Sequence, residues 1–196
     1  MNIVLGVGGG IAAYKAAELA RLLMQQGHSV QVVMTAAAQE FVRPLTFAAL
    51  TGRKVIHDLF SSSDPEATLS SAIEHIAVAQ ENDLLVVAPA TADLLAKFAH
   101  GLADDFLSTL YLAFTGPVVL APAMNTNMWR HAATQSNLEA LRRRGHRIVD
   151  PEEGELACGM VGPGRLAEPE QIAAAVDAEF GRRRDLDGET VLITAG

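Results

Sequence analysis

The chain has 196 residues, of which 49% are hydrophobic and only 19% carry a charged side chain. That length suits one domain with a sizeable core, and the composition excludes intrinsic disorder. Acidic residues outnumber basic ones by 23 to 15, and the net charge of −8 argues against binding to nucleic acid or to an anionic membrane surface. The single cysteine excludes an internal disulfide and a cysteine-based zinc site.

The N-terminal sequence and the apolar runs predict the protein's setting. No run approaches the roughly 18 apolar residues that a membrane span needs. Residues 1–5 enter a strand directly, without the basic region of a signal peptide. We therefore expect a cytoplasmic protein, and the high apolar fraction leads us to expect interfaces between copies of the chain.

Short apolar runs alternate with helical patterns in the first half of the chain. Strands are predicted over 3–7, 30–34 and 83–88, with a short strand at 54–56. Helices are predicted over 11–26 and 35–50, the second interrupted near Pro44, and Gly27 and Gly52 suit the positions just after them. Residues 61–71 are predicted to form a polar loop, and 72–80 either a helix or a short extended segment.

The second half continues the same alternation. Helices are predicted over 92–99, 105–114, 135–144 and 169–180, strands over 117–121 and 147–149, and a loop over 151–165. The strands are apolar throughout, as expected when helices cover both faces of a parallel sheet. The fold class is therefore α/β, a doubly wound parallel sheet in a flavodoxin- or Rossmann-like three-layer sandwich.

The character of the sequence changes after residue 180. Residues 181–189 are predicted to be a charged linker, and residues 190–196 begin a new strand followed by a glycine turn. We expect residues 1–180 to form one domain and residues 190–196 to open a second one, so that the chain would be a piece of a longer protein.

A glycine loop follows the first strand and opens the first helix. Residues 8–13 satisfy a loose G-x-G-x-x-A pattern, in which backbone N–H groups at a helix N-terminus can approach a phosphate. A dinucleotide site favours an acidic residue at the end of the second strand, where this chain has Thr35 after Met34. A mononucleotide therefore fits better than NAD, and a tight turn without any ligand stays open.

Five polar residues elsewhere each have a functional and a structural interpretation. Thr91 and Asp93 follow the central strand, where they can bind a ligand or simply cap a helix. Asn125 follows the strand at 117–121 and can hold a carboxylate or form a turn. Cys158 lies among glycines, which suits a closing flap better than a packed core. His75 can be a catalyst or a structural hydrogen-bonding group.

Five segments together carry a family resemblance: residues 9–15 (Gly-Gly-Ile-Ala-Ala-Tyr-Lys), His75, 88–93 (Ala-Pro-Ala-Thr-Ala-Asp), 122–129 (Pro-Ala-Met-Asn-Thr-Asn-Met-Trp) and 157–165 (Ala-Cys-Gly-x-x-Gly-x-Gly-Arg). With them, residues 1–180 resemble the flavin-containing cysteine decarboxylase family, and most of all its phosphopantothenoylcysteine decarboxylases. Residues 190–196 look like the opening of the synthetase domain that follows in bifunctional members. Gly10 and Asp93 stand where many eukaryotic relatives have Ser and Asn.

The resemblance implies FMN-dependent decarboxylation of 4'-phosphopantothenoylcysteine to 4'-phosphopantetheine in coenzyme A biosynthesis, through oxidation to a thioaldehyde, loss of CO₂ and re-reduction. It implies that His75 acts as the base, that Asn125 holds the substrate carboxylate and that Cys158 donates the final proton. It further implies a homo-oligomer built from trimers, with a dodecamer as the expected assembly. The implied FMN contacts are Gly9, Gly10, Ile11, Thr35, Thr91, Ala92, Asp93, Leu94 and Ala123, and the implied substrate contacts are Asn125, Met124, Ala157, Gly159 and Arg165.

Several other functions fit parts of this sequence pattern. A flavin-binding regulatory or interaction protein of the same fold is disfavoured because His75, Asn125 and Cys158 are all present. A peptide-cysteine decarboxylase and a flavin prenyltransferase remain alternatives, although the prenyltransferase should lack the Cys158 flap. An NAD-dependent dehydrogenase would not show the yellow absorbance of bound flavin.

Overall fold

The computed structural model describes residues 1–58, 74–155, 159 and 161–181. The predicted loop at 61–71, the residues Ala157 and Cys158, residues 182–189 of the predicted linker, and residues 190–196 lie outside the described ranges.

The first half of the chain follows the predicted order. It contains β1 (Asn2–Val7), α1 (Ala13–Gln25), β2 (Ser29–Met34), α2 (Ala36–Gln39), α3 (Pro44–Thr51), α4 (residues 74–81) and β3 (Leu84–Ala90). Gly27 and Gly52 have φ values of +89° and +67°, so both glycines provide the left-handed conformation predicted after α1 and α3. Residues 74–81 are helical, so of the helix and the extended segment predicted there, the helix is confirmed.

The second half contains α5 (Ala92–His100), α6 (Phe106–Ala113), β4 (Val118–Pro122), α7 (Thr126–Arg130), α8 (Ala132–Arg143), β5 (Arg147–Ile148), β6 (Glu152–Glu155), β7 (Val161–Arg165) and α9 (Pro169–Gly181). Helix α8 begins at Ala132 rather than at the predicted Gln135. The cause is an unexpected cap, because Nδ1 of His131 accepts a hydrogen bond of 3.2 Å from the backbone N–H of Ala133.

Five parallel strands form the central sheet in the order β2-β1-β3-β4-β5. The predicted strand at 54–56 is reduced to a single bridge between Ile56 and Val33. The sheet order reverses between β1 and β3, and ligands of open α/β sheets bind at such switch points, beyond the carboxyl ends of the strands. The predicted fold class is confirmed.

The core lies on both faces of the sheet. Alternate residues of β1 point to opposite sides, so Leu5 packs with α1, α3 and α9, whereas Val4 packs with α5, α6 and α8. Phe47 fills the first layer and Phe98 the second, and both are fully buried. No helix in the described ranges is both long and apolar enough to cross a bilayer.

The prediction of a continuous loop over 151–165 was wrong, because strands β6 and β7 pair there as an antiparallel hairpin. Glycine and proline within the segment hide any strand pattern in the sequence. Gly162 and Gly164 have φ values of +155° and +141°, and the backbone N–H of Met124 donates to the carbonyl of Gly164 at 2.9 Å. The hairpin is therefore anchored by a tertiary contact that the local sequence does not reveal.

Candidate flavin and substrate site

A cavity of about 580 Å³ lies at the carboxyl edge of the sheet, within the size range of small-molecule sites. Its walls come from the loops that follow β1, β3 and β4 and from the end of β7. The lining consists of residues 9–12, 91–92, 123–125 and 164–166, together with Tyr14, Lys15 and Met128.

The glycine loop is pressed against the rest of the protein on one side only. The N–H of Gly8 donates to the carbonyl of Pro89 at 3.1 Å, and a Cβ on Gly8 would lie 2.4 Å from that oxygen. A Cβ on Gly9 would lie 2.3 Å from the Cβ of Ala37, whereas a Cβ on Gly10 would meet nothing within 4 Å. Within the described part of the chain, the N–H groups of Gly9, Gly10 and Ile11 donate to no acceptor. The loop therefore offers donors on its open side.

The structural interpretation of Thr91 as a helix cap is confirmed, and the residue also lies in the cavity wall. Its Oγ1 accepts a hydrogen bond of 3.2 Å from the N–H of Leu94 and so caps α5, while Thr91 and Ala92 also line the cavity. Asp93 forms an ion pair of 3.3 Å with Lys97 and is not part of the lining, and Leu94 is buried in the core. Thr35 caps α2 by accepting from the N–H of Ala38 at 3.1 Å and is not part of the lining.

The loop after β4 supplies the third wall. Ala123 is fixed by donating to the carbonyl of Ala90 at 3.2 Å, which joins the ends of β3 and β4. Asn125 then caps the short helix α7, which the sequence did not predict, because its Oδ1 accepts from the N–H of Asn127 at 2.8 Å. This cap orients the Asn125 side chain at the cavity.

Two cations in the cavity wall share one carboxylate, and sequence reasoning missed this arrangement. Nζ of Lys15 lies 2.7 Å from Oε2 of Glu168, and Nη2 of Arg165 lies 2.8 Å from Oε1 of the same residue. The hydrogen bond from Lys15 lowers the pKa of Glu168 most, and the charges of Lys15 and Arg165 lower it further against the opposing effect of burial. The sequence contained one signal for this ion pair, namely a lysine in the first turn of α1. A positive charge there opposes the helix dipole, so it is expected to have an acidic partner.

The structure does not bring His75 to this cavity. His75 lies on α4, where its ring meets the ring of Phe106 edge-on at 6.4 Å between centroids. Its buried Nδ1 has no hydrogen-bond partner among the described residues. Gly159 adopts a positive φ of +79° and is not part of the lining either. The cavity thus gathers Gly9, Gly10, Ile11, Thr91, Ala92, Ala123, Met124, Asn125 and Arg165 of the predicted site.

A comparison with protein families decides the chain's affiliation, because a family described as Flavoprotein matches residues 1–181. The chain belongs to the Flavoprotein family. The resemblance predicted from the five motifs is confirmed at this level.

Curated relatives of this Flavoprotein-family chain include proteins named "Coenzyme A biosynthesis bifunctional protein CoaBC". The relative from Vibrio cholerae is 52% identical over 195 residues, which is 100% of this chain and 47% of that protein. The relative from Escherichia coli K12 is 47% identical, again over 100% of this chain and 47% of that protein. The chain spans about half the length of these relatives.

Solved structures of other proteins share the fold. A PPC decarboxylase mutant complexed with pantothenoylaminoethenethiol aligns with a TM-score of 0.79 and 30% identity, over 92% of this chain and 98% of that one. The FMN-dependent cysteine decarboxylase SpaF aligns with a TM-score of 0.76 and 34% identity, over 92% and 97% of the two chains.

Proposed function

We propose that this chain catalyses the FMN-dependent decarboxylation of 4'-phosphopantothenoylcysteine to 4'-phosphopantetheine, as part of a longer coenzyme A biosynthesis enzyme. The observation that carries the proposal is the cavity, because Asn125, the glycine loop and the start of α5 all line it. The near-complete alignment with a PPC decarboxylase mutant supports the same activity. The similarity to the bifunctional relatives supports the pathway.

The residues at the cavity fit FMN. The space beside Gly10 is open, and the N–H groups of Gly9, Gly10 and Ile11 can meet a phosphate. Thr91 and Ala92 offer a second helix start beside them. The residue after β2 is Thr35, a hydroxyl group where a dinucleotide site would favour a carboxylate. When bound, FMN supplies a reversible hydride acceptor, chemistry that no protein side chain provides.

The remaining lining residues suit the substrate. Asn125 has the amide N–H groups that a carboxylate requires, and its orientation is fixed by the cap on α7. Met124 and Met128 add an apolar wall, and Arg165 adds a positive charge. Cys158, which lies in the sequence between β6 and β7, would give the proton that completes the product.

A homo-oligomer would complete the site. His75 is absent from the lining of the cavity in its own chain, so it would act at the cavity of a neighbouring copy. Large apolar side chains are available for such contacts, since Ile11 is 63% and Tyr14 is 54% exposed at the cavity. We propose an assembly of trimers that forms a dodecamer. A monomeric mass by light scattering at micromolar concentration would refute it.

The cofactor and the reaction can be tested separately. Purified protein should be yellow and should release FMN on denaturation, whereas a colourless protein that fails to take up FMN would refute the cofactor assignment. The loaded protein should release CO₂ from 4'-phosphopantothenoylcysteine. If it binds FMN but leaves this substrate unchanged and decarboxylates a cysteine peptide, the substrate assignment is wrong.

Two substitutions separate the proposed catalytic roles. His75→Asn should prevent CO₂ release, because the base that assists oxidation and decarboxylation is lost. Cys158→Ser should retain FMN and release CO₂, but it should accumulate the ene-thiolate, because a hydroxyl is a far weaker acid than a thiol of pKa about 8.5. Normal turnover by the Cys158→Ser protein would assign the proton donor to another group.

A mixing experiment tests whether the site is shared between copies. His75→Asn and Asn125→Asp proteins should each be inactive. When the two are unfolded together and refolded, random assembly would make about a quarter of the shared sites whole, and activity should return to that extent. Each variant refolded alone is the control. No recovery in the mixture would mean that one chain supplies both residues.

A further inference from the structure

A carboxylate outside the cavity lining pairs with both of the cations inside it, and the proposed function gives this carboxylate no role. Of the described residues that line it, only Lys15 and Arg165 are cationic at neutral pH, and both contact Glu168, which lies outside the lining. Lys15 is only 6% exposed, so its ammonium group depends on a partner. Arg165 is half-exposed and ends strand β7.

Glu168 is itself held in place by the backbone. Its carbonyl accepts hydrogen bonds from the N–H groups of Gln171 at 2.9 Å and Ile172 at 3.2 Å, so the residue stands at the start of α9. A carboxylate is favoured at the N-terminus of a helix by the helix dipole. The two residues before it, Leu166 and Ala167, are buried in the core. The carboxylate thus projects from a fixed position.

The two oxygens of this carboxylate join separate parts of the fold. Oε2 contacts Lys15 on α1, and Oε1 contacts Arg165 at the end of the β6–β7 hairpin. The hairpin is also tied to the β4–α7 loop through Met124 and Gly164. Loss of the carboxylate would leave Lys15 without its close counter-ion and would free the Arg165 side chain.

We propose that Glu168 is a positioning residue that holds the side chains of Lys15 and Arg165 in the cavity wall and fixes the end of the hairpin against α1. This inference rests on the proposed function, since the two cations would meet the anionic substrate. A glutamate carboxyl is ionised at neutral pH, and the hydrogen bond from Lys15 lowers the pKa of Glu168 further.

The test compares Glu168→Gln with Glu170→Gln in FMN-loaded protein. Glutamine keeps the size of the side chain but removes its charge and replaces one carboxylate oxygen by an N–H donor, so one of the two cations loses its acceptor. Glu170 lies two residues after Glu168, in the first turn of α9, and forms no ion pair with any described residue, which makes it a matched control.

We expect Glu168→Gln to change two measured quantities, the KM for the substrate and the rate of hydrogen exchange in β7. KM for 4'-phosphopantothenoylcysteine should rise about tenfold in Glu168→Gln with kcat within about twofold, because the cations contact parts of the substrate that do not react. Backbone amides of β7 should exchange hydrogen about fivefold faster, while those of α8 stay unchanged. Glu170→Gln should match the parent protein in both.

The outcomes distinguish the two proposals. If the parent protein decarboxylates the substrate and both variants have the same KM and the same exchange, Glu168 has no positioning role. If β7 exchanges faster in Glu168→Gln but KM is unchanged, Glu168 only stabilises the hairpin, and the proposal is overturned. If the parent protein does not act on this substrate, the proposed function fails, and the exchange of β7 still decides whether Glu168 anchors the hairpin.

Discussion

The glycine loop allows a sharp prediction, because two adjacent glycines differ in what surrounds them. Neither Gly9 nor Gly10 has a positive φ, so replacement by alanine adds a methyl group without backbone strain. At Gly9 the new Cβ would lie 2.3 Å from Cβ and 2.7 Å from the carbonyl carbon of Ala37. At Gly10 it would meet nothing within 4 Å.

The size of the effect at Gly9 follows from the overlap. Carbon atoms in contact prefer a separation of about 3.5–4.0 Å, so the loop and α2 would have to separate by roughly 1.2–1.7 Å. Ala37 lies inside α2, which is held by the Thr35 cap, and a shift would disturb that cap. Overpacking of this kind costs about 1–3 kcal/mol, and the collision with backbone atoms places Gly9→Ala near 3 kcal/mol. For a chain of this length the cost corresponds to a fall in Tm of about 6–12 °C.

Thermal unfolding of flavin-free protein, followed by circular dichroism, measures this effect. Gly10→Ala is the matched control and should keep Tm within about 1 °C of the parent. The steric reasoning is refuted if the two variants unfold at the same temperature, or if Gly10→Ala is the less stable one.

Three further predictions concern polar groups away from the glycine loop. The buried Oγ1 of Thr126 has no hydrogen-bond partner among the described residues. Thr126→Val should therefore raise the free energy of unfolding in urea by about 1 kcal/mol. A decrease would mean that this hydroxyl group does form a hydrogen bond. Burial, and then the charge of Arg144, lowers the pKa of His146, so the fold loses stability as pH falls below about 6.5. In the His146→Gln protein, Tm should fall less between pH 7.5 and 5.5 than it does in the parent protein. Equal falls in Tm for the two proteins would contradict this. Burial alone would lower the pKa of Lys97, but hydrogen bonds and charges from three carboxylates raise it. Lys97→Met should therefore lower Tm at pH 7. Near pH 4 those carboxylates become protonated, so the difference in Tm from the parent protein should be smaller there. An equal difference at both pH values would refute this.

Local sequence determined most of the sheet and its helices. The apolar runs of β1 to β4 are buried on both faces, and their composition alone predicted parallel strands covered by helices. Gly27, Gly52 and Pro44 marked helix ends because each acts through its own backbone geometry. The motifs at 9–15, 88–93 and 122–129 likewise predicted three loops of the cavity, since each follows a strand and parallel strands end at one edge.

Tertiary structure alone decided how those loops are completed. Lys15 and Glu168 are separated by 153 positions, and no periodicity in the sequence specifies that one lysine meets one particular glutamate. The β6–β7 hairpin depends on the contact between Met124 and Gly164 rather than on strand-forming residues. His75 was predicted together with Asn125, yet the chain places it against Phe106. Local patterns report backbone preference and burial, whereas the pairing of distant polar side chains depends on where the folded chain carries them.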